Sequence, residues 1–336
     1  MSDRISVVVL NWNGEKLLRQ FLPSVVQHSN PEISRVVVVD NASTDHSVRV
    51  LKEEFPEVEL LCLDRNYGFA EGYNRAIEAI ESEYVVLLNS DVEVADAWLE
   101  PLLELMDSDK KLAAVQPKIL AYNEKNKFEY AGACGGYMDR WGYPFCRGRI
   151  LEVTEEDRGQ YDSIAEIFWA SGAALFIRRD LYLKHGGLDK DFFAHMEEID
   201  LCWRLRNAGY TLKVNPLSVV YHLGGGSLPM NHPKKLFLNF RNNLLMLYKN
   251  LSREERGKIL GVRFFLDMAS WCVFVLKGQF KNAGSVYKAY ISFRKMKKNY
   301  SDISPKRSDA CIYRKSIVYA YFVKKITAFS DLMWDQ

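Results

Sequence analysis

Along the first hundred residues, short apolar runs alternate with amphipathic stretches. The runs "ISVVVL" (5–10), "RVVVVD" (35–40), "VELLCL" (58–63) and "YVVLLN" (84–89) are rich in β-branched residues and too short for helices, so they predict strands. Between them, "EKLLRQFLPSVVQ" and "GFAEGYNRAIEAI" space their apolar residues as a helix does, and Thr44–Asp45 ahead of "HSVRVLKEEF" is a helix-start signal. Strands alternating with helices predict an α/β fold with a mainly parallel sheet covered on both faces. Ligands of such sheets bind at the carboxyl ends of the strands. Here those ends carry Asn11, Asp40, Arg65–Asn66 and Asn89–Ser90–Asp91. Polar exits from wholly apolar strands point to a site.

Further along, the pattern loosens between about 107 and 167. Its most irregular part, "YAGACGGYMDRWGYPFCRGR" (130–149), predicts a loop or hairpin that covers a ligand. Two more apolar segments follow, "FWASGAALFIRR" (168–179) and "TLKVNPLSVVYHLGGGS" (211–227). Between them a helix is expected from about Met196 to Ala208, stopped by Gly209. It starts with three acids within four positions, Glu197, Glu198 and Asp200. Beyond Pro233 the period is helical throughout. The most apolar piece there, 264–276, is interrupted by Asp267 and is shorter than the roughly 20 residues of a spanning helix. A helical extension is expected, not a membrane anchor.

Charge sharpens that division. The chain of 336 residues has a net charge of only +2, but residues 1–231 hold 24 Lys and Arg against 36 Asp and Glu, and residues 232–336 hold 21 against 7. Two parts follow: a body over 1–231 and a basic amphipathic extension over 232–336. The extension's cations suit an anionic partner, and an acidic membrane surface is the expected one. Nucleic acid is not expected, for want of a recognisable binding module. A homodimer through the apolar faces is compatible with the pattern. Six cysteines without metal-ligand spacing, and an N-terminus that enters a strand without a secretory layout, point to the cytoplasm.

The chain lacks GxGxxG, GxxxxGK[ST] and GxSxG, so a nucleotide would be held by side chains and backbone at the strand ends. Asp91, at a strand end among small polar residues, suits a hard divalent cation that shares its oxygen ligands with phosphates. The crowded acids at 197–200 are costly to bury unless partnered or used in chemistry. By spacing, Asp200 faces Arg204 one turn on, a structural pairing.

Taken in order, "SVVVLNWNG", "VVVVDNASTD", "NYGFAEGYNRAI", "LLNSDVEV", "WASGAALFIRRD", "GGLDKDFFAHMEEIDLCWRLRNAGY" and "VVYHLGGGS" closely resemble family-2 glycosyltransferases of the GT-A fold, nearest to rhamnosyl- and galactofuranosyltransferase-like members. The resemblance covers roughly residues 4–230, and "FRNNLLMLYKN" (240–250) resembles the segment that follows the catalytic domain in this group. It implies a catalytic domain over 1–231 built on a Rossmann-like mixed sheet, with a nucleotide-binding half to about 107 and an acceptor-side half from about 108. It also implies an inverting transfer of a sugar from a UDP- or dTDP-linked donor. The acceptor it implies is a glycan or lipid-linked glycan in cell-surface polysaccharide synthesis, reached from the cytoplasmic face of the membrane. By the same resemblance Asp40 binds the base, with Asn11, Asn41, Arg65, Asn66, Gly68, Asn89 and Ser90 around the nucleotide sugar. Asp91 holds Mg²⁺ or Mn²⁺, and His222 is a candidate second ligand because this chain has one aspartate where many members have two or three. Glu198 is the general base, standing where the family has Asp, with Glu197 a competitor on the acceptor side. Trp169, Ser171 and Gly172 line the acceptor. Two rivals are a sugar-nucleotide pyrophosphorylase, whose glycine- and Arg-rich first loop "NWNGEK" lacks, and an inactive sugar-nucleotide-binding scaffold.

Overall fold

A computed structural model describes residues 4–224, 232–300 and 311–334. The four early strands form where the apolar runs lie: β1 (Ile5–Asn11), β2 (Ser34–Asp40), β3 (Glu59–Cys62) and β4 (Tyr84–Asn89). They continue with β5 (Val92–Val94), β6 (Leu112–Ala121), β7 (Glu124–Phe128), β8 (Gly136–Asp139), β9 (Pro144–Cys146), β10 (Arg149–Ile150), β11 (Val153–Thr154), β12 (Ala165–Glu166), β13 (Ala174–Arg178), β14 (Thr211–His222) and β15 (Ile312–Tyr313). The helices are α1 (Glu15–His28), α2 (Ser47–Glu54), α3 (Gly68–Ala79), α4 (Glu100–Ser108), α5 (Arg179–Lys184), α6 (Glu197–Asn207), α7 (Pro233–Asn250), α8 (Arg253–Leu276), α9 (Phe280–Met296) and α10 (Ile317–Phe322).

The main sheet runs β12-β14-β6-β13-β4-β1-β2-β3, with β5 on β14 and β7 on β6. Strands β1 to β4 are mutually parallel, while β13 is antiparallel between β4 and β6. Side-chain alternation divides the core in two. Ile5, Val7 and Val9 of β1 join Leu18, Leu22 and Val25 of α1 on one face. Val8 of the same strand joins Ala70, Tyr73 and Ile77 of α3 on the other. Burial on both faces is why these strands are apolar throughout, and each large side chain so placed contributes about 1.5–3 kcal/mol.

Residues 130–149 depart from the expected cover over a ligand. They contain the β8–β9 hairpin of a second sheet, β11-β10-β9-β8-β15, which buries Tyr137 and Phe145 inward. Tyr137 and Phe145 pack on Phe329 and Trp334 near the C-terminus. The glycines serve close packing: a Cβ on Gly136 would lie 2.1 Å from the Trp169 ring.

Basic though it is, the extension is tied into the body. β15 pairs with β8, and the Ile317 amide donates to Asp139 Oδ2 at 2.9 Å. Buried Asp200 accepts from Arg204 (2.9 Å), as its spacing predicts, and also from Lys249 (2.8 Å) and Asn250 (2.8 Å) of α7. Burial pushes the Asp200 carboxyl up, but Arg204 and Lys249 outweigh it and hold the group below the ordinary aspartate range. Helix α8 runs well beyond the apolar piece seen in sequence, to 24 residues. By length and composition it could cross a membrane.

Candidate active site

Register alone sets the first row of polar groups. Asn11 of β1 is opposite Asp40 of β2, and Leu10 is opposite Asn89 of β4, so all three polar residues reach one edge. Asn11 Nδ2 donates to Asp40 Oδ1 at 3.1 Å and the Ser43 amide donates to Oδ2 at 2.9 Å, which fixes the carboxylate's plane. Both residues are buried, and Asn11 Oδ1 is without a hydrogen-bond partner among the described residues. Asn41 is a brace within this row: it binds Asn66 Oδ1 (3.1 Å), the Gly68 carbonyl (3.1 Å) and the Tyr67 amide (2.9 Å). With 2% of its surface exposed, it braces the turn at 66–68 from within. Arg65 is exposed and lies over the Tyr67 ring. Gly68 has φ +77°, a left-handed conformation that favours glycine at the head of α3.

Next along the edge stands the metal candidate. Antiparallel pairing of β5 with β14 places His222 opposite Val92, so its ring lies beside Asp91, with Nε2 3.1 Å from Oδ1. Asn89 Nδ2 lies 3.4 Å from the same nitrogen. On the other side His222 Nδ1 is 3.4 Å from Oε1 of Glu129, a buried acid absent from the sequence reading. Burial would lower the His222 pKa, but Asp91 and Glu129 raise it to about 10. A cation here would displace the imidazole's proton, after which one carboxylate and one imidazole make a donor set that suits Mn²⁺ and that a diphosphate's oxygens would complete. Among the described residues no three His, Cys, Asp or Glu side chains form a metal cluster by themselves.

Glu129 is placed to orient the imidazole, as carboxylates behind metal-binding histidines do. Glu129→Ala is expected to weaken Mn²⁺ binding about 10–100-fold, measured by calorimetry on the purified protein. Unchanged affinity removes Glu129 from that role.

The acidic cluster reaches the same edge through β13. Because β13 runs antiparallel to β4, the Ala173 carbonyl accepts the Asn89 amide (3.0 Å), and Gly172 follows at the rim. A Cβ on Gly172 would touch Glu198 Cβ at 3.7 Å, so the first turn of α6 packs directly on this rim. A Cβ on Gly68 would likewise lie 3.5 Å from Phe193, joining the turn before α3 to the segment leading into α6. Along this edge Gly68 meets Phe193, Gly172 meets Glu198, and His222 meets both Asn89 and Asp91. It is an open rim. A cavity of about 370 Å³ between α3 and α6 shares no residue with it.

The two glutamates differ in what they face. Glu197 is buried near Tyr182 in the core, while Glu198 is half-buried against Gly172 at the rim. The Oε2 atom of each is buried without a hydrogen-bond partner among the described residues. Burial raises the Glu198 carboxyl to about 7 against its helix-start amides, and burial together with the adjacent Glu198 raises Glu197 well above the usual range. Two acceptor candidates are turned away from the site. Trp169 is 3% exposed, its Nε1 donates to the Tyr137 carbonyl at 2.9 Å and its ring lies on Gly136, so no face is offered to a sugar. Ser171, equally buried, binds Gln116 through its amide at 2.8 Å. Packing on β8 of the second sheet claims Trp169, and Gln116 of β6 claims Ser171.

The segment before α6 is strained. Phe193, His195 and Met196 have φ of +67°, +71° and +75°, and none is glycine. Asn242 of α7 holds it, donating through Nδ2 to the carbonyls of Phe192 (2.9 Å), Ala194 (2.8 Å) and His195 (2.7 Å). Arg241 adds a bond to the Phe192 carbonyl at 2.9 Å.

The mixed sheet gathers its polar groups at one carboxyl edge, as ligand-binding α/β sheets do, and its likeness to solved glycosyltransferases makes the fold GT-A. The chain belongs to glycosyl transferase family 2, whose model matches residues 6–180. It is 26% identical over 240 residues to the N-acetylglucosaminyl-diphospho-decaprenol L-rhamnosyltransferase of Mycobacterium tuberculosis, covering 66% of this chain and 76% of that protein. The dTDP-rhamnosyl transferase RfbF of Shigella flexneri is 22% identical over 264 residues, covering 74% of this chain and 82% of that one. In fold it is similar to GalNAc-T7 solved with UDP, GalNAc and Mn²⁺ (TM-score 0.57, 16% identity, 76% of this chain and 49% of that). It is also similar to the mannosyltransferase PcManGT of Pyrobaculum calidifontis with GDP-Man and Mn²⁺ (TM-score 0.53, 16% identity, 88% of this chain and 76% of that).

Proposed function

We propose that the protein transfers a sugar, with inversion, from a UDP- or dTDP-linked donor to a lipid-linked glycan at the cytoplasmic face of the membrane. The observation that carries this is the single sheet edge shared by Asp40, the Asp91–His222 pair and Glu198. The rhamnosyl names of the two relatives support dTDP-rhamnose as the first donor to test.

Asp40 keeps a free lone pair on each oxygen after binding Asn11 and Ser43, enough to accept the imide N–H of uracil or thymine. Asp91 and His222 would hold Mg²⁺ or Mn²⁺, which when bound neutralises charge on the departing diphosphate. Glu198 accepts the proton of the acceptor hydroxyl. That oxygen attacks the anomeric carbon from the side opposite the diphosphate, whose C–O bond breaks as the new one forms. Half-burial of Glu198 makes it a stronger base than an ordinary carboxylate, and acceptor binding would dry it further.

Donor binding tests the reading. UDP-, dTDP- and GDP-sugars are screened by thermal shift with and without Mn²⁺. The matching donor is expected to stabilise the protein by about 2.7 kcal/mol at a hundredfold excess over its Kd. Asp40→Ala is expected to cost at least about tenfold in donor affinity, since one hydrogen bond to a charged group goes. No stabilisation by any donor rejects the proposal.

A further inference from the structure

Helix α8 is amphipathic the wrong way round for a helix packed on a soluble protein. Beyond Lys258 its charged residues face inward: Arg263 is 2% exposed and Asp267 0%. Arg263 binds the Gly142 carbonyl (3.3 Å) and Asn243, and stands 3.8 Å from the Tyr143 ring centroid. Asp267 accepts from Tyr143 (3.2 Å) and Tyr290 (2.8 Å). The apolar residues face outward, with Phe265 74% and Leu276 86% exposed, and Phe280 at the start of α9 70%. Phe265, Cys272 and Leu276 recur in steps of four and seven along this outer stripe. A surface helix normally buries such a stripe and exposes its charges.

The inward polar set also settles how the helix lies. Driving α8 across a bilayer would strip Arg263 and Asp267 of partners supplied by Tyr143, Asn243 and Tyr290, so the helix stays along the body with its apolar stripe outward. Exposed Lys277 and Lys281 flank the end of that stripe. Apolar side chains at one depth, with cations beside them, match the acyl boundary and headgroups of an anionic lipid surface. A two-fold contact between copies fits less well, because a self-complementary interface would bring these lysines toward their own kind.

We propose that the outer stripe of α8, with Phe280 and the flanking lysines, is a membrane-docking face that lies flat in an anionic lipid surface. The idea draws its purpose from the lipid-linked acceptor proposed above. It is tested without donor or acceptor, so the two readings fail separately.

The full chain is sedimented with vesicles of phosphatidylcholine, alone or mixed with phosphatidylglycerol. Wild type is expected to bind the mixed vesicles more tightly and to release as salt rises. Phe265→Glu with Leu276→Glu is expected to weaken binding to both by at least about tenfold while leaving the melting temperature unchanged, because both side chains are exposed. Lys277→Glu with Lys281→Glu is expected to abolish only the preference for phosphatidylglycerol. Wild type failing to bind either vesicle overturns the proposal, as does equal binding by the Phe265/Leu276 variant. A dimer seen by sedimentation velocity, lost in that variant and unaccompanied by vesicle binding, assigns the face to a second copy instead.

Discussion

Glu198→Gln is expected to lower kcat by about 10²–10⁴-fold, the usual worth of a positioned general base, while donor affinity stays within about twofold. In barrier terms this is about 3–5 kcal/mol. The amide keeps the shape of the side chain and cannot accept the hydroxyl proton. The pH dependence follows from the raised carboxyl. Below about 7 Glu198 is protonated and inert as a base, so kcat/KM of the wild type should fall tenfold per pH unit on the acid side and level off above that value. Stability should run the other way. The folded state holds a proton that the unfolded chain releases near 4.5, so the contribution of Glu198 is full below that pH and lost as pH rises through about 7. Glu198→Gln should therefore melt higher than wild type at pH 8 and at the same temperature near pH 4, measured without ligands. Glu197→Gln, altering an acid that faces Tyr182 and not the rim, should retain transfer. Equal losses from the two variants would take the base role from Glu198.

Site formation on this scaffold follows from strand register. Four apolar runs that must each bury two faces leave polar residues only at their ends, and parallel pairing brings those ends together. That is why Asn11, Asp40 and Asn89 were readable in the sequence. The acids were readable for another reason: Glu197, Glu198 and Asp200 crowd where crowding is costly, and Asp200 declared its partner by a four-residue spacing. What stayed hidden depends on contacts between distant segments. Trp169 and Ser171 sit in a motif that suggests an acceptor floor, yet the second sheet, whose glycines looked like a loose loop, packs against Trp169, and Gln116 of β6 binds Ser171. Glu129 reaches His222 only because β7 pairs with β6 beside β14, and nothing local marks it. Helix α8 was underestimated because its buried charges interrupt the apolar pattern, and inward-facing charge is invisible to composition.

Asn242 carried one signal that was there to be used. Consecutive asparagines at 242 and 243 interrupt an apolar helix, and Asn is a poor helix former kept where its side chain has work elsewhere. In the fold it donates to three carbonyls of a segment with three left-handed non-glycine residues, each costing on the order of 1–3 kcal/mol. That strain aims the first turn of α6, and with it Glu198, at the rim. Asn242→Ala takes the side-chain donor from the half-buried Ala194 and His195 carbonyls and frees the segment, so it is expected to destabilise the protein by about 1–3 kcal/mol. Misplacing the base by about 1 Å is enough for a further loss of about 10²-fold in kcat. The readout that separates positioning from simple destabilisation is the split between kinetic constants, taken well below the variant's melting temperature. A positioning role lowers kcat, leaves the donor's KM near wild type and keeps the acid limb of the pH profile tied to a displaced Glu198. A folding defect alone would instead lower the active fraction, with kcat per active site and the pH profile both unchanged.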